Sequence, residues 1–146
     1  MIRRMQKEEI DQVAAIWLDT NRKAHDFIPA SYWEGNFEAV RSMLLQAELY
    51  IWEEKMEIAG FVGLEGEYIA GIFVKEGRQS EGIGKQLLDF VKEKKERLWL
   101  HVYEKNGAAV RFYRREKFRI TCEGMDQNTG EKESMMVWDR TEDLEE

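Results

Sequence analysis

The stretch Gly77-Arg78-Gln79-Ser80-Glu81-Gly82-Ile83-Gly84-Lys85-Gln86-Leu87-Leu88 joins a glycine-rich loop to the start of a helix, near the middle of the sequence. The apolar segment Ile69–Val74 before it is typical of a strand, and the spacing of Ile83, Leu87 and Leu88 predicts a helix after it. The first N–H groups of a helix have no partners within the helix, and the helix dipole places partial positive charge there. Since glycines let the backbone approach a ligand closely, the stretch predicts an anion site, usually for phosphate.

The spacing excludes two familiar nucleotide loops. A P-loop requires Ser or Thr after Gly-Lys and another glycine five residues before that glycine, whereas Gln86 follows Gly84-Lys85 and Gln79 stands five residues earlier. A dinucleotide fingerprint requires a third glycine after Gly82-Ile83-Gly84 and a parallel βαβ order around it, and neither is predicted. An unrelated nucleotide-phosphate binder is therefore disfavoured. A tight strand-to-helix turn without a ligand remains an alternative.

The composition is that of one soluble globular domain over residues 1–146. The chain is 43% hydrophobic and 35% charged, which is not typical of a disordered protein. With 22 basic and 29 acidic residues the net charge is −7, which argues against a general nucleic-acid or anionic-membrane binder. The acidic segment 139–146 is expected to be a frayed tail.

The counts of cysteine and histidine exclude further classes of protein. One cysteine, Cys122, excludes an internal disulfide, and two His with one Cys make no convincing zinc site, so no metal is expected. No apolar run approaches the ~20 residues of a membrane span, and no hydrophobic segment follows the basic N-terminus as in a secretory signal. We expect a cytoplasmic protein that is monomeric or, since strand edges favour pairing, a homodimer.

Hydrophobic periodicity predicts a mixed α/β (α+β) fold in the order β-α-α-β-β-β-α-β-α-β-β. Such an order is typical of one mixed, mostly antiparallel sheet with helices on both faces. The segment 21–28, which is followed by Pro29, is expected to be a loop. The strands are predicted at 2–5, 49–52, 58–64, 68–74, 98–103, 118–124 and 134–138, and the helices at 8–18, around 37–44, from 83 and at 107–116.

Two motifs resemble those of the GNAT superfamily of N-acetyltransferases. Gln79-x-x-Gly82-x-Gly84 is similar to its Gln/Arg-x-x-Gly-x-Gly/Ala signature, and Val74 precedes Gln79 by five residues as in that family. The run Leu100–Phe118 is similar to Leu-x-Val-x-x-x-Asn-x-x-Ala-x-x-Phe-Tyr-x-x-x-Gly-Phe, except that Lys117 replaces the glycine. The motifs cover roughly residues 68–118, and the element order agrees over the whole chain.

The resemblance implies a GNAT fold and acetyl-CoA as the acetyl donor. Its pantetheine arm would pair with the strand ending at Val74, with the N–H of Ile72 facing the thioester carbonyl, while the loop holds the pyrophosphate. A side chain of this strand can pack in the core while its backbone binds the cofactor. The implied cofactor-binding residues are Ile72, Phe73, Val74, Gln79, Ser80, Glu81, Gly82, Ile83, Gly84, Lys85, Asn106, Ala109, Phe112 and Tyr113.

The same resemblance suggests catalytic roles. Tyr113 would be the general acid for the coenzyme A thiolate, although it could also be a packed helix aromatic. Asn106 would cap the following helix as well as contact the cofactor. Some family members use a glutamate base at the position of Tyr68, and others a base at the position of His101. Imidazole titrates near neutral pH, so His101 is the candidate general base, with an ordinary exposed histidine as the alternative.

The acceptor site is expected at the loop and helix start that contain His25, Asp26, Phe27, Tyr32 and Trp33, with Trp52 as a further candidate. His25 or Asp26 could also help to remove a proton, and the aromatic residues could instead close the core beneath the loop. These residues are similar to those of small bacterial GNAT proteins, some of them considered protein-lysine acetyltransferases. We expect acetyl transfer to a primary amine, of protein or small molecule, by direct attack in a ternary complex. The alternative is a non-catalytic acyl-CoA sensor on the same fold.

Overall fold

The computed structural model describes residues 1–144, which form a single sheet flanked by helices. The strands are β1 (Ile2–Arg4), β2 (Glu48–Glu54), β3 (Glu57–Glu65), β4 (Tyr68–Val74), β5 (Arg97–Tyr103), β6 (Arg119–Met125) and β7 (Lys132–Asp139). The helices are α1 (Ile10–Ala24), α2 (Ala30–Gly35), α3 (Phe37–Gln46), α4 (Ile83–Lys92), α5 (Gly107–Arg115) and α6 (Arg140–Leu144), and a 3₁₀ turn at Lys7–Glu9 precedes α1.

The sheet has seven strands in the order β1-β2-β3-β4-β5-β7-β6. All neighbouring strands pair antiparallel except β4 and β5, which are parallel. This arrangement confirms the predicted mixed, mostly antiparallel sheet. Within residues 1–144, no helix is both long and apolar enough to cross a membrane.

Alternation along the strands creates a core on each face of the sheet. In β2, Ile51 packs with Val13 and other residues of α1, whereas its neighbour Trp52 packs with Leu87 and other residues of α4. Successive side chains of a strand point to opposite faces, which gives this separation. The helix predicted after the glycine loop is confirmed, since Ile83, Leu87, Leu88 and Val91 are all buried.

Helix α1 is longer than the sequence predicted. The segment 21–28 was expected to be a loop, but α1 continues to Ala24. Two polar residues are satisfied inside it: Thr20 Oγ1 donates to the Ile16 carbonyl at 2.6 Å, and Asn21 Nδ2 donates to the Trp17 carbonyl at 2.9 Å. Thr20 and Asn21, of residue types that usually favour turns, are thus accommodated within the helix with their side chains bonded to its own backbone.

The acidic end of the chain is structured over most of its length. The segment expected to fray forms α6 over Arg140–Leu144, and only residues 145–146 of it lie outside the described part. Trp138 Nε1 donates to Asp143 Oδ2 at 2.8 Å, and Arg140 Nη2 donates to the Lys95 carbonyl at 2.8 Å. Arg119 donates two hydrogen bonds to the Glu142 carboxylate, from Nε to Oε2 and from Nη2 to Oε1, each at 2.9 Å. These bonds hold the segment against β7, β6 and the end of α4.

The residue that departs from the GNAT motif keeps the motif's backbone conformation. Lys117 has φ +74°, in the left-handed region that glycine adopts without strain. Its N–H donates to the Arg114 carbonyl at 3.1 Å, and the N–H of Phe118 donates to the Tyr113 carbonyl at 3.0 Å. The turn that ends α5 is therefore formed without the glycine, and Phe118 is buried beside Tyr113.

Candidate active site

The two halves of the sheet separate between β4 and β5. These strands share one register pair, Tyr68 with Trp99, and the Trp99 N–H donates to the Glu67 carbonyl at 3.0 Å. Beyond this point β4 is paired only with β3, through Gly71, Ile72, Phe73 and Val74 in the described residues. The edge of β4 that faces β5 is thus open along its C-terminal half, next to the glycine loop.

Backbone direction along this open edge follows from strand geometry. The Lys75 N–H donates to the Ala59 carbonyl of β3 at 2.7 Å. Backbone groups of a strand alternate between its two neighbours, so those of Phe73 also face β3 and those of Ile72 and Val74 face the open edge. In agreement, the Val74 carbonyl accepts a bond of 3.1 Å from Gln79 Nε2. Two N–H groups are therefore available to an extended ligand.

The glycine loop ends at the N-terminus of α4 in a left-handed residue. Gly82 is the N-cap with φ +83°, and no side chain of the described residues caps this helix end. Ser80 also has a positive φ, of 68°. The first N–H groups of α4, from Ile83 to Lys85, are thus left for an anion.

Side chains contribute little positive charge to the loop. Arg78 makes ion pairs with Glu54 at 2.9 Å, Glu57 at 2.6 Å and Glu81 at 3.1 Å. Lys85 Nζ lies 3.0 Å from Glu116 and 3.3 Å from Asp89. Since these cations are already paired, an anion bound here depends mainly on the backbone N–H groups of the loop and of α4.

The predicted cofactor residues converge from three elements. A methyl group placed on Gly84 would lie 3.8 Å from both Val74 and Phe112 and 4.0 Å from Ile72. The start of α4 therefore lies against the open end of β4 and against α5. Ala109, also on α5, is half-buried in the same core.

Tyr113 lies on α5 and belongs to the core against which Ile72 and Val74 pack. Only 8% of the surface of Tyr113 is exposed, and its ring packs edge-on against Phe112 and Phe118. Burial raises the pKa of the Tyr113 phenol well above its usual value, and Tyr68 adds to the effect. The Tyr113 hydroxyl has no hydrogen-bond partner among residues 1–144, so a protonated donor is present with its bond unused.

Asn106 and His25 are joined at the base of the site. Asn106 Oδ1 accepts from the Ala109 N–H at 3.2 Å, which is the predicted N-cap, and its Nδ2 lies 3.0 Å from His25 Nε2. The other ring nitrogen of His25, Nδ1, lies 2.9 Å from Asn21 Oδ1. Burial lowers the pKa of His25 to about 4. This neutral imidazole is hydrogen-bonded at both ring nitrogens. It connects α1 to α5 and has no free nitrogen to accept a substrate proton.

The other predicted acceptor residues divide between core and surface. Trp33 is buried and packs on Trp17 and His25, so it closes the core beneath the loop. Phe27 and Tyr32 are half-buried, and Asp26 is exposed. Trp52 was predicted near the acceptor but packs against α4 on the opposite face of the sheet, where its Nε1 donates to Gln86 at 3.1 Å.

His101 lies exposed on β5, on the face where Trp99 and Tyr103 also project. The Tyr68 hydroxyl lies 3.2 Å from His101 Nδ1. The sequence did not predict this contact, since the two residues are 33 positions apart and only the β4–β5 pairing brings them together. Tyr103, which was also missed, contacts Phe27 and His25 and donates to Asp126 at 2.6 Å.

An open strand edge beside an uncapped helix N-terminus and a buried tyrosine is the arrangement expected of an acetyltransferase with the GNAT fold. The family model described as the acetyltransferase (GNAT) family matches residues 10–118. Peptidyl-lysine N-acetyltransferase YiaC of Escherichia coli strain K12 is 36% identical over 130 residues, which cover 87% of this chain and 89% of YiaC. Peptidyl-lysine N-acetyltransferase YjaB of the same strain is 31% identical over 121 residues, or 82% of each chain.

Solved structures agree with the sequence comparison. The solution structure of the apo form of YjaB from Escherichia coli has a TM-score of 0.84 at 28% identity and covers 94% of this chain and 96% of its own. The structure of yncA from Salmonella typhimurium with its cofactor acetyl-CoA has a TM-score of 0.68 at 16% identity, over 96% of this chain and 93% of its own, and supports the fold. The chain belongs to the GNAT family of acetyltransferases. It is an N-acetyltransferase that uses acetyl-CoA and an amine acceptor.

Proposed function

We propose that this enzyme acetylates lysine side chains of proteins, by direct attack of the amine on the thioester. The observation that carries the proposal is the open edge of β4, where the N–H groups of Ile72 and Val74 face away from β3 beside the start of α4. The names of the relatives YiaC and YjaB support a peptidyl-lysine acceptor. Carboxylates on the acceptor face, from Asp26 and Asp126, favour a cationic substrate.

Acetyl-CoA fits the site because the extended backbone at the end of β4 and the uncapped N–H groups at the start of α4 lie next to each other. Acetyl-CoA supplies the activated acetyl group as a thioester. The backbone of Ile72 and Val74 would pair with its pantetheine arm, and the N–H groups from Gln79 to Lys85 would hold its pyrophosphate. Gly82 and Gly84 leave room for that approach.

Two groups of the chain would stabilise the charge that develops during transfer. The Ile72 N–H would donate to the carbonyl oxygen as it becomes negative, and fixed donors of this kind usually provide a large part of the rate enhancement. The Tyr113 hydroxyl would donate to the departing sulfur. Its raised pKa keeps the phenol protonated at neutral pH, so a hydrogen bond is always available, while complete proton transfer becomes less favourable as burial increases.

His101 would accept a proton from the lysine ammonium, which leaves the neutral amine to attack the thioester. A lysine amine with a pKa of about 10.4 is mostly protonated at neutral pH, so the reaction needs a base. His101 is exposed on the acceptor face, whereas both nitrogens of His25 are already bonded. Among the described residues, His101 is therefore the histidine that can perform this role.

Acceptor-dependent thiol release tests the proposal. We expect the protein with acetyl-CoA to release thiol faster with a lysine peptide than with polyamines, aminoglycosides or free amino acids. A peptide of the same sequence with arginine for lysine is the matched control and should give only the background rate. Stabilisation by acetyl-CoA without any acceptor-dependent release would instead support the sensor alternative. A cytoplasmic location, a single domain and a monomeric or dimeric assembly stay predictions.

A further inference from the structure

We propose that Tyr68 is a positioning residue that holds His101 in the tautomer and orientation needed for proton removal. This inference rests on the proposed function, in which His101 is the base. Tyr68 stands at the position where some family members have a glutamate base. Here that position would not supply the base itself but would orient His101, which does. The carrying observation is the 3.2 Å contact between the Tyr68 hydroxyl and His101 Nδ1.

Three rings fix the geometry of this contact. The Tyr68 ring lies on Trp99 with centroids 4.4 Å apart, Trp99 contacts His101 at 5.6 Å, and Tyr68 contacts His101 at 5.8 Å. Tyr68 and Trp99 are also the single register pair that joins β4 to β5. The hydroxyl is therefore held at the point where the two strands begin to separate, next to the cofactor edge.

The chemistry of the imidazole decides which tautomer is useful. If Nδ1 carries the proton and donates to the Tyr68 oxygen, Nε2 keeps its lone pair and can accept a proton from the substrate. In that step the N–H bond of the ammonium breaks and an Nε2–H bond forms. The resulting imidazolium keeps its Nδ1–H bond to Tyr68. With the other tautomer Nε2 is already protonated and the ring cannot act as a base through this atom.

Charged groups lie around the pair. Glu133 of β7 interacts electrostatically with His101. Burial raises the pKa of the Tyr68 phenol, and the carboxylates of Glu133, Glu65 and Asp126 raise it further. Tyr68 therefore stays neutral, and its hydroxyl can either accept a hydrogen bond from Nδ1–H or donate one to a bare Nδ1; in this proposal it has the acceptor role.

The presence of only two histidines makes the tautomer directly measurable. We propose long-range ¹H–¹⁵N spectra of the full chain against pH, with His25→Gln to assign the two rings. The wild type should show His101 mainly as the Nδ1–H tautomer, and Tyr68→Phe should shift it towards Nε2–H. Tyr50→Phe is the matched control, since the Tyr50 hydroxyl bonds to Glu48 on β2 and should leave His101 unchanged.

Kinetics complete the test. Tyr68→Phe should lower kcat about tenfold, less than the roughly 100-fold loss from His101→Gln, and should leave the KM for acetyl-CoA within about twofold. A wild-type His101 in the Nε2–H form, or a tautomer or kcat unaffected by Tyr68→Phe in an active enzyme, overturns the inference alone. Failure of the proposed function would appear differently, as a wild-type protein with no acceptor-dependent thiol release.

Discussion

His25 Nε2 lies 3.0 Å from Asn106 Nδ2, a contact that joins residues 81 positions apart in the chain. The bond connects the loop after α1, on the acceptor side, to the N-cap of α5, the helix that carries Tyr113. His25 also rests against Phe27, Trp33 and Tyr103. One hydrogen bond between side chains thus joins the acceptor loop to the helix that carries the proposed general acid.

A double-mutant cycle measures this bond. His25→Ala, Asn106→Ala and the double variant should show a coupling of about 1 kcal/mol in the free energy of unfolding, because each single change leaves a buried partner unpaired. Asn106→Ala alone should also lose the N-cap of α5, at about 1 kcal/mol. Urea titration gives these values. Effects of the two changes that add to within about 0.3 kcal/mol would show that the bond contributes nothing.

The low pKa of His25 predicts a loss of stability in mild acid. The folded state binds a proton on His25 only near pH 4, whereas the unfolded state binds it near pH 6.5. Between these values the unfolded chain holds more protons, so stability decreases as the pH falls from about 6.5 to 4 and is fully present above that range. We expect His25 to account for about 2 kcal/mol of the loss between pH 7 and pH 5.

His25→Gln should remove that part of the pH dependence, since the carboxylates that also titrate are unchanged. His101→Gln, which removes the other histidine, is the matched control. Urea unfolding at the two pH values measures both. An identical slope in wild type and His25→Gln would show that His25 is not buried in its neutral form.

Gly82 tests the backbone of the proposed phosphate loop. Gly82→Ala places a side chain on a residue with φ +83°, which costs about 1 kcal/mol in folding, and should weaken coenzyme A binding by about tenfold. Gly130→Ala is the matched control, because Gly130 has φ +76° with no atom within 4 Å of the new methyl group. It lies in the β6–β7 turn, so it should cost similar stability without affecting binding. Calorimetry with coenzyme A separates the two. Equal affinities in both variants would remove the loop from the binding site.

Tyr113→Phe tests the proposed acid. Removing the hydroxyl should lower kcat by about 100-fold, the ordinary contribution of acid catalysis, with little change in the dissociation constant of acetyl-CoA. The ring still packs against Phe112 and Phe118, so stability should change little. Single-turnover rates with saturating acetyl-CoA give the comparison. A kcat within twofold of wild type would leave Tyr113 a packing residue only.

The fold could be predicted from local patterns because the alternation of a strand and the spacing of a helix are both visible within a few consecutive residues. The period of two in β2 separates Ile51 from Trp52, but it does not say which face lies over the acceptor, and Trp52 was placed on the wrong one. The length of α1 was missed because Thr20 and Asn21 bond within the helix. The family motifs predicted the cofactor edge through residue spacing alone.

The side-chain contacts of the site depend on tertiary pairing and could not be predicted in this way. Tyr68 and His101 meet only because β4 and β5 share one register pair. His25 and Asn106 meet only because α1 ends opposite the start of α5. The sequence made His101 the candidate base and His25 an acceptor residue that could also help to remove a proton, and the structure distinguishes the two histidines through burial and hydrogen bonding.

Transfer of a labelled acetyl group tests the central claim most directly. The full-length protein would be incubated with acetyl-CoA carrying a ¹³C-acetyl group and a peptide with one lysine and a blocked N-terminus. Mass spectrometry then locates the label. We predict label on the lysine Nε, with an equal amount of free coenzyme A and about 100-fold slower labelling by Tyr113→Phe. Label that stays on acetyl-CoA with this peptide and with other amines, while the protein binds acetyl-CoA, would contradict the account.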